Sequence, residues 1–183
     1  GTPFPPIEGL YADSNNGLIV VCRTATGIRV YWYDNTGSLL YKVPIAFGGL
    51  PSPYTNEVKV FSSLDKAVPD FTAKKLHIKV DYYREDIDTD INVTAGISYD
   101  KSCLYTFNIE DRQYERTIDI APYEDTEDTN TATRHIKKIY GLLGVTANNW
   151  CFLTTPRLDG YILELIDLHS NKIYTRTLSV SAD

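Results

Sequence analysis

The 183-residue sequence has no apolar stretch approaching the roughly 20 residues of a membrane-spanning helix. It therefore gives no reason to expect a helical transmembrane segment. It also lacks a basic excess. With 18 Lys+Arg against 24 Asp+Glu, its formal net charge is −6, and nucleic-acid binding, which needs a positive footprint, is not expected. Cysteines are few and odd in number: Cys22, Cys103 and Cys151 stand in no metal-ligand spacing. That argues against a disulfide framework and against zinc. The expectation is buried thiols acting as small hydrophobes, with one bridge plus a free thiol as the alternative. There is no nucleophile elbow, zinc-protease helix motif, phosphate loop or dinucleotide fingerprint. The three histidines, at positions 77, 135 and 169, show no metal spacing either, and are expected as ordinary exposed side chains. No leader segment is legible at Gly1-Thr2, a start that weighs neither for nor against export.

What is present points to β structure. The aromatic share is 12%, and 14 tyrosines supply most of it, a residue that suits a pleated, half-buried surface. After the proline-rich lead-in Thr2 to Pro6, strands are expected at Glu8–Asp13, Leu18–Thr24, Ile28–Tyr33 and Leu39–Ile45. Between them lie turns of Asn, Asp and Gly chemistry, notably Asp13 to Gly17 and Asp34-Asn-Thr-Gly37. Pro44 marks an edge strand or a strand end.

Further on, Glu57–Phe61 reads as a short strand and Ser62–Ala67 as a helical turn ended by Pro69. Lys75–Tyr83 alternates cleanly. Leu76, Ile78, Val80 and Tyr82 share one face, while His77, Lys79 and Asp81 share the other, which is read as the polar face. Strands follow at Ala95–Tyr99, Leu104–Ile109 and Tyr114–Ile120, with a turn at Asp100-Lys-Ser102. Residues 122–133 read as a solvated acidic loop, and four more strands are expected at about 137–143, 149–154, 160–168 and 172–180. The fold class is thus all-β, with three consecutive four-stranded antiparallel meanders in one domain spanning 1–183. The units run over about 7–46, 57–121 and 135–180.

The first and third units match position by position. Ile7-Glu-Gly-Leu aligns with Ile139-Tyr-Gly-Leu, Asn15-Asn16 with Asn148-Asn149, Gly27 with Gly160 and Asp34 with Asp167. In the looser middle unit Asn108 takes the place of the Asp. Four strands per repeat is propeller grammar, since a four-stranded sheet has two faces to bury and radial stacking buries both. Tyr31-Trp-Tyr-Asp34 with Gly37, Lys79-Val-Asp-Tyr-Tyr83, and Gly160 to Asp167 resemble β-propeller blades of the NHL and YWTD-like kind. They are similar in particular to propeller lipoproteins of spirochaetes. Three units cannot close a normal ring of four to eight blades, so the units belong to a longer propeller or pair with a second copy. A β-sandwich or barrel is the rival architecture.

Candidate chemistry is sparse. Asp86, Asp88 and Asp90, with Asn92, form the sharpest constellation, a candidate site for a metal such as Ca²⁺. Ile91 and Ile97 stand where an EF-hand needs Gly and Glu, so it is not an EF-hand; a solvated acidic loop explains it as well. Glu124, Asp125, Glu127 and Asp128 read as a surface loop, and Asn92-Val-Thr94 fits a glycosylation acceptor. No catalytic or cofactor-binding residue is assigned, and calcium is the one cofactor considered. The expected function is a non-enzymatic binding or scaffold protein that engages a protein partner or a second copy of itself. The resemblance implies an exported or cell-envelope location. The loops around Asn15-Asn16, Asp100-Lys101 and Asn148-Asn149 are the expected recognition elements. The alternatives are a saccharide- or peptide-processing enzyme using carboxylates, and a calcium-stabilised interaction module.

Overall fold

A computed structural model describes residues 5–55, 60–70, 74–85, 96–120, 123–124, 137–138, 140–146, 148–157 and 160–179. The structure is all-β, with three four-stranded antiparallel meanders in chain order. Sheet 1 comprises β1 (Ile7–Ala12), β2 (Leu18–Thr24), β3 (Gly27–Tyr33) and β4 (Leu39–Ala46). A single 3-10 turn, Phe47–Gly49, follows it. Sheet 2 comprises β5 (Val60–Asp70), β6 (Lys75–Glu85), β7 (Ile97–Asn108) and β8 (Gln113–Ile120). The short strands β9 (Tyr123–Glu124) and β10 (Lys137–Lys138) pair with each other. Sheet 3 comprises β11 (Gly141–Val145), β12 (Trp150–Arg157), β13 (Gly160–Asp167) and β14 (Ile173–Ser179).

Successive side chains of a strand point to opposite faces, so the pairing register assigns each residue a face. Ile19 pairs with Trp32, and Val21 with Val30, which pairs in turn with Val43. These residues form one face of sheet 1. They pack with Ile78, Val80 and Tyr105 of sheet 2 in the larger core. The other face of sheet 2 contributes Val68, Leu104 and Ile120 to a second core, shared with Leu142, Cys151, Leu153 and Ile166 of sheet 3. Sheet 2 is therefore covered on both faces, with sheet 1 on one side and sheet 3 on the other. For convenience, the front face of a sheet is the one directed toward the next sheet in the chain, or its counterpart in sheet 3. The back face is the opposite one.

The hairpins follow from residue chemistry. Asp34 begins the β3–β4 turn, and its Oδ1 accepts from the N–H groups of Thr36 and Ser38, both at 2.8 Å. Asn108 does the same in the β7–β8 turn for Glu110 and Asp111, and Asp167 in the β13–β14 turn for His169. Such side-chain-to-backbone bonds stand in for a ladder that has just ended. Each of these hairpins then uses one left-handed residue: Gly37, Arg112 and Asn171 respectively. The first hairpin of each sheet does likewise, through Asn16, Lys74 and Asn149. At the start of β3 and of β13 the chain comes so close to its neighbour that only glycine fits. A Cβ on Gly27 would lie 2.0 Å from the Ile45 carbonyl oxygen, and one on Gly160 would lie 1.9 Å from that of Leu178.

Three expectations need correction. Residues 62–67 are not a helical turn but the middle of β5, where the ladder slips between Leu64 and Lys66 and leaves Asp65 as a bulge. Pro69 lies within that strand, which is an edge strand of its sheet, where a missing N–H is tolerated. Residues 100–102 do not form a turn. They lie inside the 12-residue strand β7, with Asp100 bulged opposite the Tyr82–Tyr83 step. Part of the expected 122–133 loop is strand, since Tyr123–Glu124 pairs with Lys137–Lys138. Pro44 does sit on an edge strand, opposite Arg29.

Candidate functional site

Within each sheet the first and third hairpins lie at the same end, because four strands run alternately up and down. Contacts between sheets bring these ends together. Tyr41, at the start of β4, donates to Glu110 in the β7–β8 turn at 2.8 Å, and Lys74 of the β5–β6 turn donates to both. Arg116 of β8 donates to Asn171 Oδ1 in the β13–β14 turn. One end of the molecule is thus a row of polar hairpins tied together across all three sheets.

A cleft of about 130 Å³ opens into this end between sheets 2 and 3, lined among others by Lys75, His77, Glu115, Arg116 and His169. Lys75 and Glu115 form an ion pair at 2.7 Å on one wall. On the other, Asn149 Nδ2 donates to His169 Nε2 at 2.9 Å. His77 lies at the base. It is not the exposed residue that strand alternation suggested, being 1% exposed, because sheet 3 covers the face on which it sits. Its Nδ1 meets Thr106 Oγ1 at 3.2 Å, while its Nε2 is buried with no hydrogen-bond partner. Burial pushes the imidazole down to about 4, against which the nearby Asp70 and Glu115 carboxylates work only in part. The ring is neutral at neutral pH and offers one acceptor or one donor according to its tautomer.

Deeper between the same two sheets lies an ionic layer. Lys79 is fully buried, at 0% exposure, and its Nζ donates to Asp81 Oδ1 at 2.6 Å and lies 3.3 Å from Asp65 Oδ2. Ser102 Oγ donates to Asp81 Oδ1 at 2.5 Å and also meets the Tyr99 hydroxyl at 2.6 Å. The bulge at Asp65 turns that carboxylate toward sheet 3, where it accepts from the Leu142 N–H at 3.0 Å. Each charge here has a fixed partner, so the layer pins the sheets in register and offers no free acid or base.

The chemistry available elsewhere is equally restrained. Burial pushes the Cys103 and Cys151 thiols up to about 12 and raises that of Cys22, so all three, free and buried, are poor nucleophiles. The carboxylates with displaced values, Asp13, Asp34, Glu110, Glu115 and Asp167, are all displaced downward. Turn N–H groups, hydroxyls, the Trp32 indole or lysines hold them ionised. Among the described residues no group of three His, Cys, Asp or Glu gathers as metal ligands. The candidate metal residues Asp86, Asp88 and Asp90, and the Asn92–Thr94 triplet, lie outside the described residues, as do Asp125, Glu127 and Asp128. No described helix is long and apolar enough to cross a membrane.

The expected recognition loops are thus partly reassigned. Asn15-Asn16 and Asn148-Asn149 do stand at the hairpin end, whereas Asp100-Lys101 is strand, and Lys74 occupies the corresponding turn of sheet 2. The cleft was missed because His77 and Lys75 sit in a strand whose polar alternation mimics a solvated face. No protein-family model matches the chain, and no curated protein matches it.

Proposed function

We infer that the three sheets are copies of one unit, propeller-like blades, and that the chain is a non-enzymatic binding or scaffold protein. Its recognition surface is the hairpin end. The observation that carries this reading is the recurrence of the same hairpin devices at that end. An Asp or Asn opens the third-to-fourth-strand turn in every sheet, and a left-handed residue stands at Asn16, Lys74 and Asn149 in the first-to-second. Sequential stacking of the sheets, with sheet 2 buried on both faces, is what radial blade packing requires. The cleft at His77 gives that surface a concave polar feature of the size of a carboxylate or amide side chain. The Lys75–Glu115 ion pair and the Asn149–His169 hydrogen bond that line it are satisfied internally, which favours recognition over proton transfer. The exported or cell-envelope location rests on the resemblance of Tyr31–Asp34 and Gly160–Asp167 to propeller lipoproteins.

The test is site-specific photo-crosslinking in the source cells. A benzophenone side chain at Asn35, Glu110 or Ser170, on the hairpin end, is expected to trap one defined protein. The same probe at Thr26, in the β2–β3 turn at the opposite end, is expected to trap none. Equal adducts from both ends would overturn the assignment of the surface. Turnover of glycosides or peptides that is abolished by Asp81→Asn would overturn the non-enzymatic reading.

A further inference from the structure

Of the large apolar side chains that remain exposed, seven fall on two sheet faces, while Phe61, Ile97 and Ile173 lie elsewhere and Leu40 and Leu143 stand at ladder irregularities. On sheet 1, Ile7, Leu10, Leu18 and Leu39 are exposed, and the register places all four on the back face: Ile7 opposite Cys22, Leu10 opposite Val20, Leu18 and Leu39 opposite Tyr33. Val20, Cys22 and Tyr31 form a small buried cluster on that face, confined to sheet 1. On sheet 3, Tyr161, Tyr174 and Leu178 are exposed on the front face, in the rows that hold Leu163 and Leu165. Among the described residues no other sheet covers these two faces, the first at one end of the stack and the second at the other.

The register shows what each face is built for. Counted from the residue that opens the third hairpin, Asp34 in sheet 1 and Asp167 in sheet 3, Trp32 corresponds to Leu165 and Val30 to Leu163. Across the ladder, Ile19 corresponds to Phe152, and Ile45 to Leu178. Trp32, Val30, Ile19 and Ile45 are the residues by which sheet 1 packs on sheet 2. Likewise, counted from Asn108, sheet 2 uses Leu104 on its front face against sheet 3. Both internal interfaces therefore join a front face to the next sheet's back face. The front face of sheet 3 is apolar or aromatic at Phe152, Tyr161, Leu163, Leu165, Tyr174 and Leu178, with Thr154 and Arg176 where sheet 1 has Val21 and Val43. The back face of sheet 1 corresponds to the face of sheet 2, bearing Ile78 and Tyr105, that receives sheet 1.

We propose that these two faces are docking surfaces for one another, so that sheet 3 of one copy packs on sheet 1 of a second copy. The contact is head to tail. Two copies related by a two-fold axis make it twice and close a ring of six sheets, within the four to eight of closed propellers. The proposal rests on the blade reading above and adds its occupant, a second copy of this chain. Continuity with the internal interfaces selects that occupant. The second copy presents the same sheet geometry that each internal interface already accepts, and it would cover the exposed Ile7, Leu10, Leu18 and Leu39 around the buried Val20, Cys22 and Tyr31.

Light scattering on the purified chain tests it. The wild type is expected at twice its mass of 20.7 kDa. Tyr161→Glu/Leu178→Glu, on sheet 3, and Leu10→Glu/Leu18→Glu, on sheet 1, change exposed positions, and circular dichroism checks that each variant keeps its strand content. Each variant alone is expected to be monomeric. Mixed one to one, they retain one intact pair of faces and are expected to form a mixed dimer with affinity reduced at least tenfold. A wild type that stays monomeric to about 100 µM overturns the proposal. So does a dimer lost in only one of the two variants, which marks a like-with-like contact, and so does an open ladder of larger oligomers, which marks a ring that two copies do not close. A monomer that still gives the hairpin-end crosslink leaves the binding reading standing while the second copy falls. A dimer with no such crosslink does the reverse.

Discussion

The two interfaces inside the molecule bury the same kind of sheet with opposite chemistry. Between sheets 1 and 2 the contact is hydrocarbon and aromatic: Ile19, Val30 and Trp32 against Ile78, Val80 and Tyr105. Between sheets 2 and 3 the apolar residues Leu104, Leu153 and Ile166 share the contact with the buried Lys79, its partners Asp81 and Asp65, and the buried His77. Apolar contact is non-directional and tolerates sliding of one sheet over the other. A buried ion pair tolerates almost none, because a displaced partner leaves a charge without water or counter-charge. The first interface therefore supplies burial energy, and the second supplies register at some cost in stability.

The comparison breaks most sharply at Lys79. Lys79→Ala strands two carboxylates against sheet 3 and is expected to cost about 3–5 kcal/mol in urea unfolding. Lys79→Met with Asp81→Leu, which removes the charge pair while keeping the volume, is expected to recover most of that loss. It should also broaden the amide NMR signals of β11 and β12 as the register loosens. A double variant as unstable as the single would show that the pair stabilises the fold in itself. On the apolar side, Ile78→Ala is expected to cost about 2–4 kcal/mol by opening a cavity, without loss of register. Equal broadening of the sheet 1 signals in that variant would erase the distinction between the interfaces.

A smaller effect follows from His77. Its folded value lies near 4, below the ordinary 6.5, so the unfolded chain binds the proton more readily. The neutral ring's contribution is complete well above pH 6.5 and is lost as pH falls toward 4, by about 3 kcal/mol in all. Urea midpoints at pH 7, 5.5 and 4.5 should fall more steeply for the wild type than for His77→Asn. Parallel curves would mean that the ring is not held neutral. The smallest expected change is at the exposed Tyr41–Glu110–Lys74 link. Glu110→Gln should leave the urea midpoint unchanged within error, because solvent screens that contact. A clear shift would make this rim a real contributor to the first interface.

Much of this architecture is legible in the sequence because hairpin chemistry is local. Asp34 to Gly37, Asn15-Asn16 and the apolar run from Leu18 announce themselves, and Gly27 and Gly160 occur where the backbone leaves no room for a Cβ. Sheet 2 is harder to read, for a single physical reason: it is covered on both sides. In a sheet with one wet face, His77, Lys79 and Asp81 would face water. Here they face sheet 3, and alternation cannot distinguish the two cases. Bulges misled in the same direction. Asp65 and Asp100 are polar residues set within strands, where they read as turn signals. Each is in fact aimed at a particular partner, Asp65 at Lys79 and the Leu142 N–H, Asp100 at the Tyr54 hydroxyl and Arg84. The cleft depends on which turns meet across two sheets, and that is a tertiary fact with no local trace.

The last strand carries a further consequence. Every residue of β14 from Ile173 to Ser179 is exposed, and among the described residues the strand pairs with β13 alone. It presents a free row of amide and carbonyl groups on a segment rich in β-branched side chains, the composition that templates fibrous aggregation. Arg176 sits at its centre, beside Leu163, and places a charge where an incoming strand would lie. A charge at that position is the kind of residue that discourages pairing at an exposed edge. Arg176→Ile is expected to leave the fold intact yet convert a soluble preparation into one that nucleates thioflavin-positive aggregates on concentration.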